Sequence, residues 1–117
     1  MKRPQKAAGV VQQRRTRSVA ALGWFPALCR AHGLPEPIGE YQFHPTRKWR
    51  IDWCWPLHRV GLEIDGAVWV NGRHTRGAGW LKDTEKMNTL ASMGYRMFRT
   101  TPTTVADVLP FLEQVLR

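Results

Sequence analysis

Asp52 and Glu63 are the residues from which chemistry can be argued. They lie in Arg50-Ile51-Asp52-Trp53-Cys54-Trp55 and in Val60-Gly61-Leu62-Glu63-Ile64-Asp65-Gly66. Both stretches alternate apolar and polar residues, the period of a half-buried strand. In the first, Trp49, Ile51, Trp53 and Trp55 share one face, and Arg50, Asp52 and Cys54 the other. In the second, Val60, Leu62 and Ile64 oppose Gly61, Glu63 and Asp65. With Leu57 and His58 at the tip of a hairpin, Asp52 falls directly opposite Glu63, at a Cβ separation of about 5 Å. Two like charges at that spacing repel and weaken a sheet. A hard divalent cation between them reverses the sign, because Mg²⁺ binds through one or two carboxylates together with waters and phosphate oxygens.

The charge balance indicates what such a cation would meet. The chain of 117 residues carries a formal net charge of +9, which favours polyanions, nucleic acid before an acidic membrane surface. No acidic residue precedes Glu36, while Lys2, Arg3, Lys6, Arg14, Arg15, Arg17 and Arg30 all do. Arg47, Lys48, Arg50, Arg59, Arg73, Arg76, Lys82 and Lys86 flank the carboxylates. A locally acidic site within a basic surface suits phosphodiester chemistry. Hydrolysis of that bond needs an activated water, charge neutralisation in the transition state and a stabilised leaving oxygen.

The elements that must position these residues follow from pattern. Residues 1–18 read as a flexible basic arm, and residues 19–117 as one folded domain. A helix is expected over residues 19–32, with Leu22, Phe25, Leu28 and Cys29 on one face, Ser18 as cap and Gly33 as stop. Pro26 must kink it or move its start. Residues 38–44 alternate as a first strand, followed by the two strands above. Residues 67–79 form a glycine-rich loop holding Trp69, Arg73, His74 and Arg76. A helix over residues 80–93 turns Leu81, Met87, Leu90 and Ala91 to the core and ends at Gly94. A fourth strand at residues 95–100 leads to a last helix, capped by Thr103 or Thr104 and burying Val105, Val108, Leu109, Leu112 and Val115. The order is α-β-β-β-α-β-α. Cys29 and Cys54 lack metal-ligand spacing and read as buried, reduced thiols. No stretch is long and apolar enough for a transmembrane helix, so a cytoplasmic protein without membrane contact is expected.

That order, with an aspartate on the second strand and a glutamate on the third, resembles the PD-(D/E)XK nuclease superfamily. Within it the chain is similar to small phage or prophage endonucleases of the very-short-patch-repair type. The resemblance runs over Glu40, Phe43-His44-Pro45, Arg47-Lys48-Trp49-Arg50-Ile51-Asp52, Glu63-Ile64-Asp65-Gly66, Gly72-Arg73-His74, Asp83 with Lys86, and Gly94-Tyr95-Arg96. It implies a restriction-endonuclease-like α/β fold, a mixed four-stranded sheet flanked by helices, and a metal-dependent DNA endonuclease of repair, recombination or restriction in a bacterial host. Asp52, Glu63 and the Ile64 carbonyl would ligate Mg²⁺ or Mn²⁺, with Glu40 holding a water or a second ion.

The chain departs from the signature at one position: Asp65 stands where the superfamily carries a lysine. Lys86, on the following helix, and His74, in the loop, are the replacement candidates. Asp83 and Lys86 share a helix face, so Lys86 could equally be a partner of Asp83. Arg14, Arg15, Arg17, Arg47, Lys48, Arg73 and Arg76 are the expected phosphate contacts. Implied partners are DNA, branched or damaged forms included, and a second copy of the chain. The competing expectation is a nucleic-acid-binding protein on the same fold without catalysis, for which the displaced lysine is the argument.

Overall fold

Proline and glycine set the first boundaries. In the computed structural model, which describes residues 23–65 and 78–117, helix α1 spans Phe25–Ala31 with Pro26 in its first turn. A proline there loses no hydrogen bond and has a helical φ already, so the helix starts at Phe25, just before Pro26, instead of being kinked by it. Ser18, the expected cap, and residues 19–22 lie outside the described residues. Gly33, at φ 72°, ends the helix, with Gly33 N–H donating to the Arg30 carbonyl and Leu34 N–H to that of Cys29.

Strand β1 is Ile38–Tyr41, β2 Ile51–Trp55, β3 Val60–Ile64 and β4 Arg96–Thr100. Between β3 and β4 runs helix α2, Ala78–Ser92, and after β4 comes helix α3, Val105–Leu116. The sheet order is β1-β2-β3-β4, antiparallel in the first two pairs and parallel in the last. The described chain is therefore an α/β fold with a four-stranded mixed sheet and helices on both faces. Several boundaries differ from expectation. α1 begins only at Phe25, β1 stops at Tyr41 rather than at residue 44, β4 begins at Arg96 rather than at residue 95, and α2 begins at Ala78, so Gly79 belongs to the helix and not to the loop. In addition, Ala91 is exposed rather than turned to the core.

Two apolar clusters fill the two sides. On one, Phe25 and Cys29 of α1 and Val105, Val108, Leu109, Leu112 and Leu116 of α3 pack on Trp53, Trp55, Val60, Leu62 and Ile64. The Trp55 indole donates to the Pro35 carbonyl at 2.8 Å, so its buried N–H is satisfied. On the other side, Leu90 of α2 packs with Phe43, Ile51 and Cys54. Each large side chain so buried contributes roughly 1.5–3 kcal/mol. Both cysteines are buried and unpaired, as expected. Among the described residues no helix is long and apolar enough to cross a membrane.

The face of Ile51 is a correction. Strict alternation groups Trp49 and Ile51 with Trp53 and Trp55, but both join the α2 cluster instead. The cause lies at Asp52. The β2–β3 ladder ends at Trp53↔Leu62, and the Asp52 carboxylate takes the next hydrogen bond, from Ile64 N–H. A side chain replacing a backbone rung breaks the pleat there, and the chain before it changes face.

Candidate active site

The β2–β3 pairs are Trp53↔Leu62, Cys54↔Gly61 and Trp55↔Val60. Asp52 and Glu63 are the next residues beyond the last of these pairs, where the Asp52 side chain takes over from the ladder. The hairpin tip is not a two-residue turn. Pro56–His58 form one 3-10 turn, closed by Arg59 in the left-handed region. The connection is still centred on Leu57 and His58, which preserves the register.

Asp52 is buried, and its Oδ2 accepts the Ile64 N–H at 2.7 Å. That bond fixes the carboxylate at the end of the ladder. Across β1–β2, the pairs Gly39↔Trp53 and Tyr41↔Ile51 bracket Glu40, setting it opposite Asp52. Glu40 adopts φ 52°, a left-handed conformation that non-glycine residues rarely take, and its Oε1 is closed to solvent. Such strain, of order 1–3 kcal/mol, concentrates at functional positions. Across β3–β4, Glu63 pairs with Arg99. Glu40 thus neighbours Asp52 across β1–β2, and Arg99 neighbours Glu63 across β3–β4.

Helix α2 completes the arrangement from above. Lys86 Nζ donates to Glu63 Oε2 at 2.9 Å and to the Arg50 carbonyl at 2.6 Å. Lys86 therefore reaches the glutamate from the helix and does not pair with Asp83. The partner of Asp83 is Arg99, at 3.2 Å. Arg99 Nη1 also bonds both oxygens of Asp65, at 3.1 and 2.9 Å. Burial works against the charged form of Arg99. The hydrogen bond to Asp65 and the charges of Asp65, Asp83 and Glu63 outweigh it and raise the guanidinium above its ordinary value.

Arg99 was not anticipated from sequence. Its signal is positional: counting the parallel register back from Thr100 sets it beside Glu63. Asp65 anchors this arginine. Of the expected phosphate contacts, Arg47 is engaged by Glu85 at 3.0 and 3.3 Å and lies 3.8 Å over the Trp49 ring, while Lys48 is exposed. His44 Nδ1 accepts N–H bonds from Thr46 and Arg47, which folds the turn between β1 and β2. His74, Arg14, Arg15, Arg17, Arg73, Arg76 and Trp69 lie outside the described residues.

Among the described residues no three His, Cys, Asp or Glu side chains gather closely enough to hold a metal by themselves. The donors present are carboxylates and the Ile64 carbonyl, all hard oxygens. That set does not suit zinc and is too sparse for a calcium cage. Hard oxygens are the donors Mg²⁺ takes, one or two carboxylates beside several waters.

No family model matches the chain, and no solved structure matches it. It is 32% identical over 79 residues to an uncharacterized protein found in two strains of Mycobacterium tuberculosis, an alignment covering 66% of this chain and 27% of the relative. The chain thus spans about a quarter of the length of the curated relatives it matches.

Proposed function

We propose that this chain is a metal-dependent DNA endonuclease on a restriction-endonuclease-like fold, hydrolysing phosphodiester bonds with Mg²⁺ or Mn²⁺. The observation that supports the reading is the Lys86–Glu63 pair, a helix-borne ammonium on a mostly buried carboxylate, with the buried Asp52 carboxylate on the neighbouring strand held by Ile64 N–H. Asp52, Glu63 and the Ile64 carbonyl would hold the ion, with Glu40 neighbouring Asp52. A bound divalent ion acidifies a water and neutralises charge on the phosphate.

The chain's own groups do the rest. Ile64 N–H aims the Asp52 carboxylate, Lys86 orients Glu63, and the Asp65–Arg99–Asp83 bridge holds a guanidinium beside the same glutamate. The net charge of +9 supports a polyanionic substrate. His74 in the loop is the candidate proton donor to the leaving oxygen. Branched or damaged DNA is the substrate class to try first.

The test is incubation of the full chain with supercoiled, linear and branched DNA, with Mg²⁺, Mn²⁺ or chelator. Cleavage should require the metal and fall at least about a hundredfold in Asp52→Asn and Glu63→Gln, the scale of one lost transition-state stabiliser. DNA affinity should persist or rise, since a negative charge beside a phosphate is removed. Wild-type rates in both variants would show that chemistry lies elsewhere. DNA binding without cleavage under every metal condition would favour a non-catalytic binding protein.

A further inference from the structure

Two carboxylates on neighbouring strands in a largely closed site need a compensating charge at all times, including before any divalent ion arrives. The structure identifies that charge. Lys86 Nζ sits 2.9 Å from Glu63 Oε2, with the two side chains 11% and 13% exposed, and a second bond to the Arg50 carbonyl holds the ammonium in place. The neighbouring cation is differently placed. Arg99 is 45% exposed and its guanidinium is already shared between Asp65 and Asp83.

We infer that Lys86 is the resident counter-ion of Glu63, a positioning residue that must yield or share Oε2 when a divalent ion binds. This rests on the metal site proposed above. The ammonium donates to Oε2 of a carboxylate that would bind the ion, and lysine has three donors and no acceptor, so it cannot itself ligate. Its charge lies within a few ångströms of the ion's place and opposes binding there, and Coulomb repulsion at that range is strong away from bulk water. The cost of assembling the carboxylates is met by an internal cation, and metal affinity is lowered in exchange. A flexible stem anchored on a rigid helix allows the ammonium to move aside while keeping its bond to the Arg50 carbonyl.

The experiment measures Mn²⁺ binding without DNA, by calorimetry and by the loss of the free-ion resonance signal, on the full chain. Wild type, Lys86→Met, Lys86→Arg and Asp52→Asn are compared. Lys86→Met should bind Mn²⁺ at least about tenfold tighter than wild type, and its melting temperature should fall without metal and recover with it, because a ligand of the native state stabilises that state. Lys86→Arg should stay near wild type in affinity, and Asp52→Asn should lose binding. As a check that needs no variant, the ¹⁵N signal of the Lys86 ammonium should shift on titration of wild type with Mg²⁺.

Binding of Mn²⁺ by wild type with no tightening in Lys86→Met, or, if that variant does not fold, an unmoved ammonium signal at saturating Mg²⁺, overturns this inference and leaves the nuclease reading standing. No Mn²⁺ binding by any of the proteins overturns both.

Discussion

The two faces of the sheet are built on different rules. The face under α1 and α3 is closed with aromatic and aliphatic side chains: Phe25 stands 5.6 Å from Trp53 and 6.2 Å from Trp55, ring to ring, and Leu112 is fully buried. The face under α2 has a smaller apolar cluster around Leu90, and beside it charge joins the helix to the sheet, Lys86 to Glu63 and Asp83 to Arg99, and to the β1–β2 connection, Glu85 to Arg47. Apolar packing is non-directional and holds a helix against a sheet without specifying atoms. Ion pairs specify atoms, and a mostly buried one contributes little net stability because of desolvation. A sheet with one face of each kind is held together by the first and has polar groups fixed at particular positions on the second.

That division can be broken by substitution. The largest effects should be on rate, in Asp52→Asn and Glu63→Gln, with the melting curve little changed. Leu112→Ala should do the opposite. Removing a fully buried leucine leaves a cavity and costs about 2–5 kcal/mol, while the cleavage rate per folded molecule stays near wild type. Denaturant titration and single-turnover cleavage of the same preparations would measure both. Loss of rate in folded Leu112→Ala beyond the unfolded fraction would show that the faces are coupled.

How far the sequence reaches follows the same division. The pairing of Trp53, Cys54 and Trp55 with Leu62, Gly61 and Val60 was legible because it depends only on counting from the hairpin tip, and it survived a different turn type. The reach of Lys86 was legible because helix spacing fixes its face relative to Leu90. Ile51 was misplaced because alternation assumes an unbroken ladder, and the Asp52 side chain breaks it. Arg99 was missed because the β3–β4 register runs through α2, and nothing local in Arg96-Met97-Phe98-Arg99-Thr100 states the offset. Alternation cannot show that Glu40 has positive φ either, since a left-handed residue is invisible in a pattern of side-chain types.

Glu40 sharpens the comparison at a smaller scale. If its backbone conformation is held for the sake of the site, stability and function should separate at this single residue. Glycine takes φ 52° without the Cβ penalty. Glu40→Gly should therefore leave stability unchanged or raise it by up to about 1 kcal/mol, while cleavage falls. Glu40→Gln should keep the strain and lose rate to a similar degree. Equal, wild-type cleavage in both variants would remove Glu40 from the site and leave its conformation a feature of the strand end.

The smallest effect tests whether the two faces are equally closed to water. Each carries one cysteine, Cys29 on the α1 side and Cys54 on the α2 side, and both are fully buried. Burial pushes each thiol up from 9.0 to about 12, with Glu36 adding to the rise at Cys29 and a hydrogen bond with Tyr95 opposing it at Cys54. A group whose folded value lies above its unfolded one contributes stability that is fully present below the unfolded value. That contribution drains away as pH rises from about 9 towards about 12. Near pH 10 the loss should be on the order of 1 kcal/mol per thiol, since a tenfold change in an ionisation constant corresponds to about 1.4 kcal/mol. Cys29→Ala and Cys54→Ala should each lower stability at neutral pH through the lost packing, and each should flatten the fall in unfolding free energy between about pH 9 and 11. In the folded wild type near neutral pH neither thiol should react with an aromatic disulfide reagent until denaturant is added. Equal flattening by the two variants means that the charged face is as dry at its centre as the apolar one. A slope altered by Cys29→Ala alone, or rapid labelling of Cys54 in the native protein, would mean that water reaches the sheet beneath α2, and that the Lys86–Glu63 pair works in a wetter place than its burial indicates.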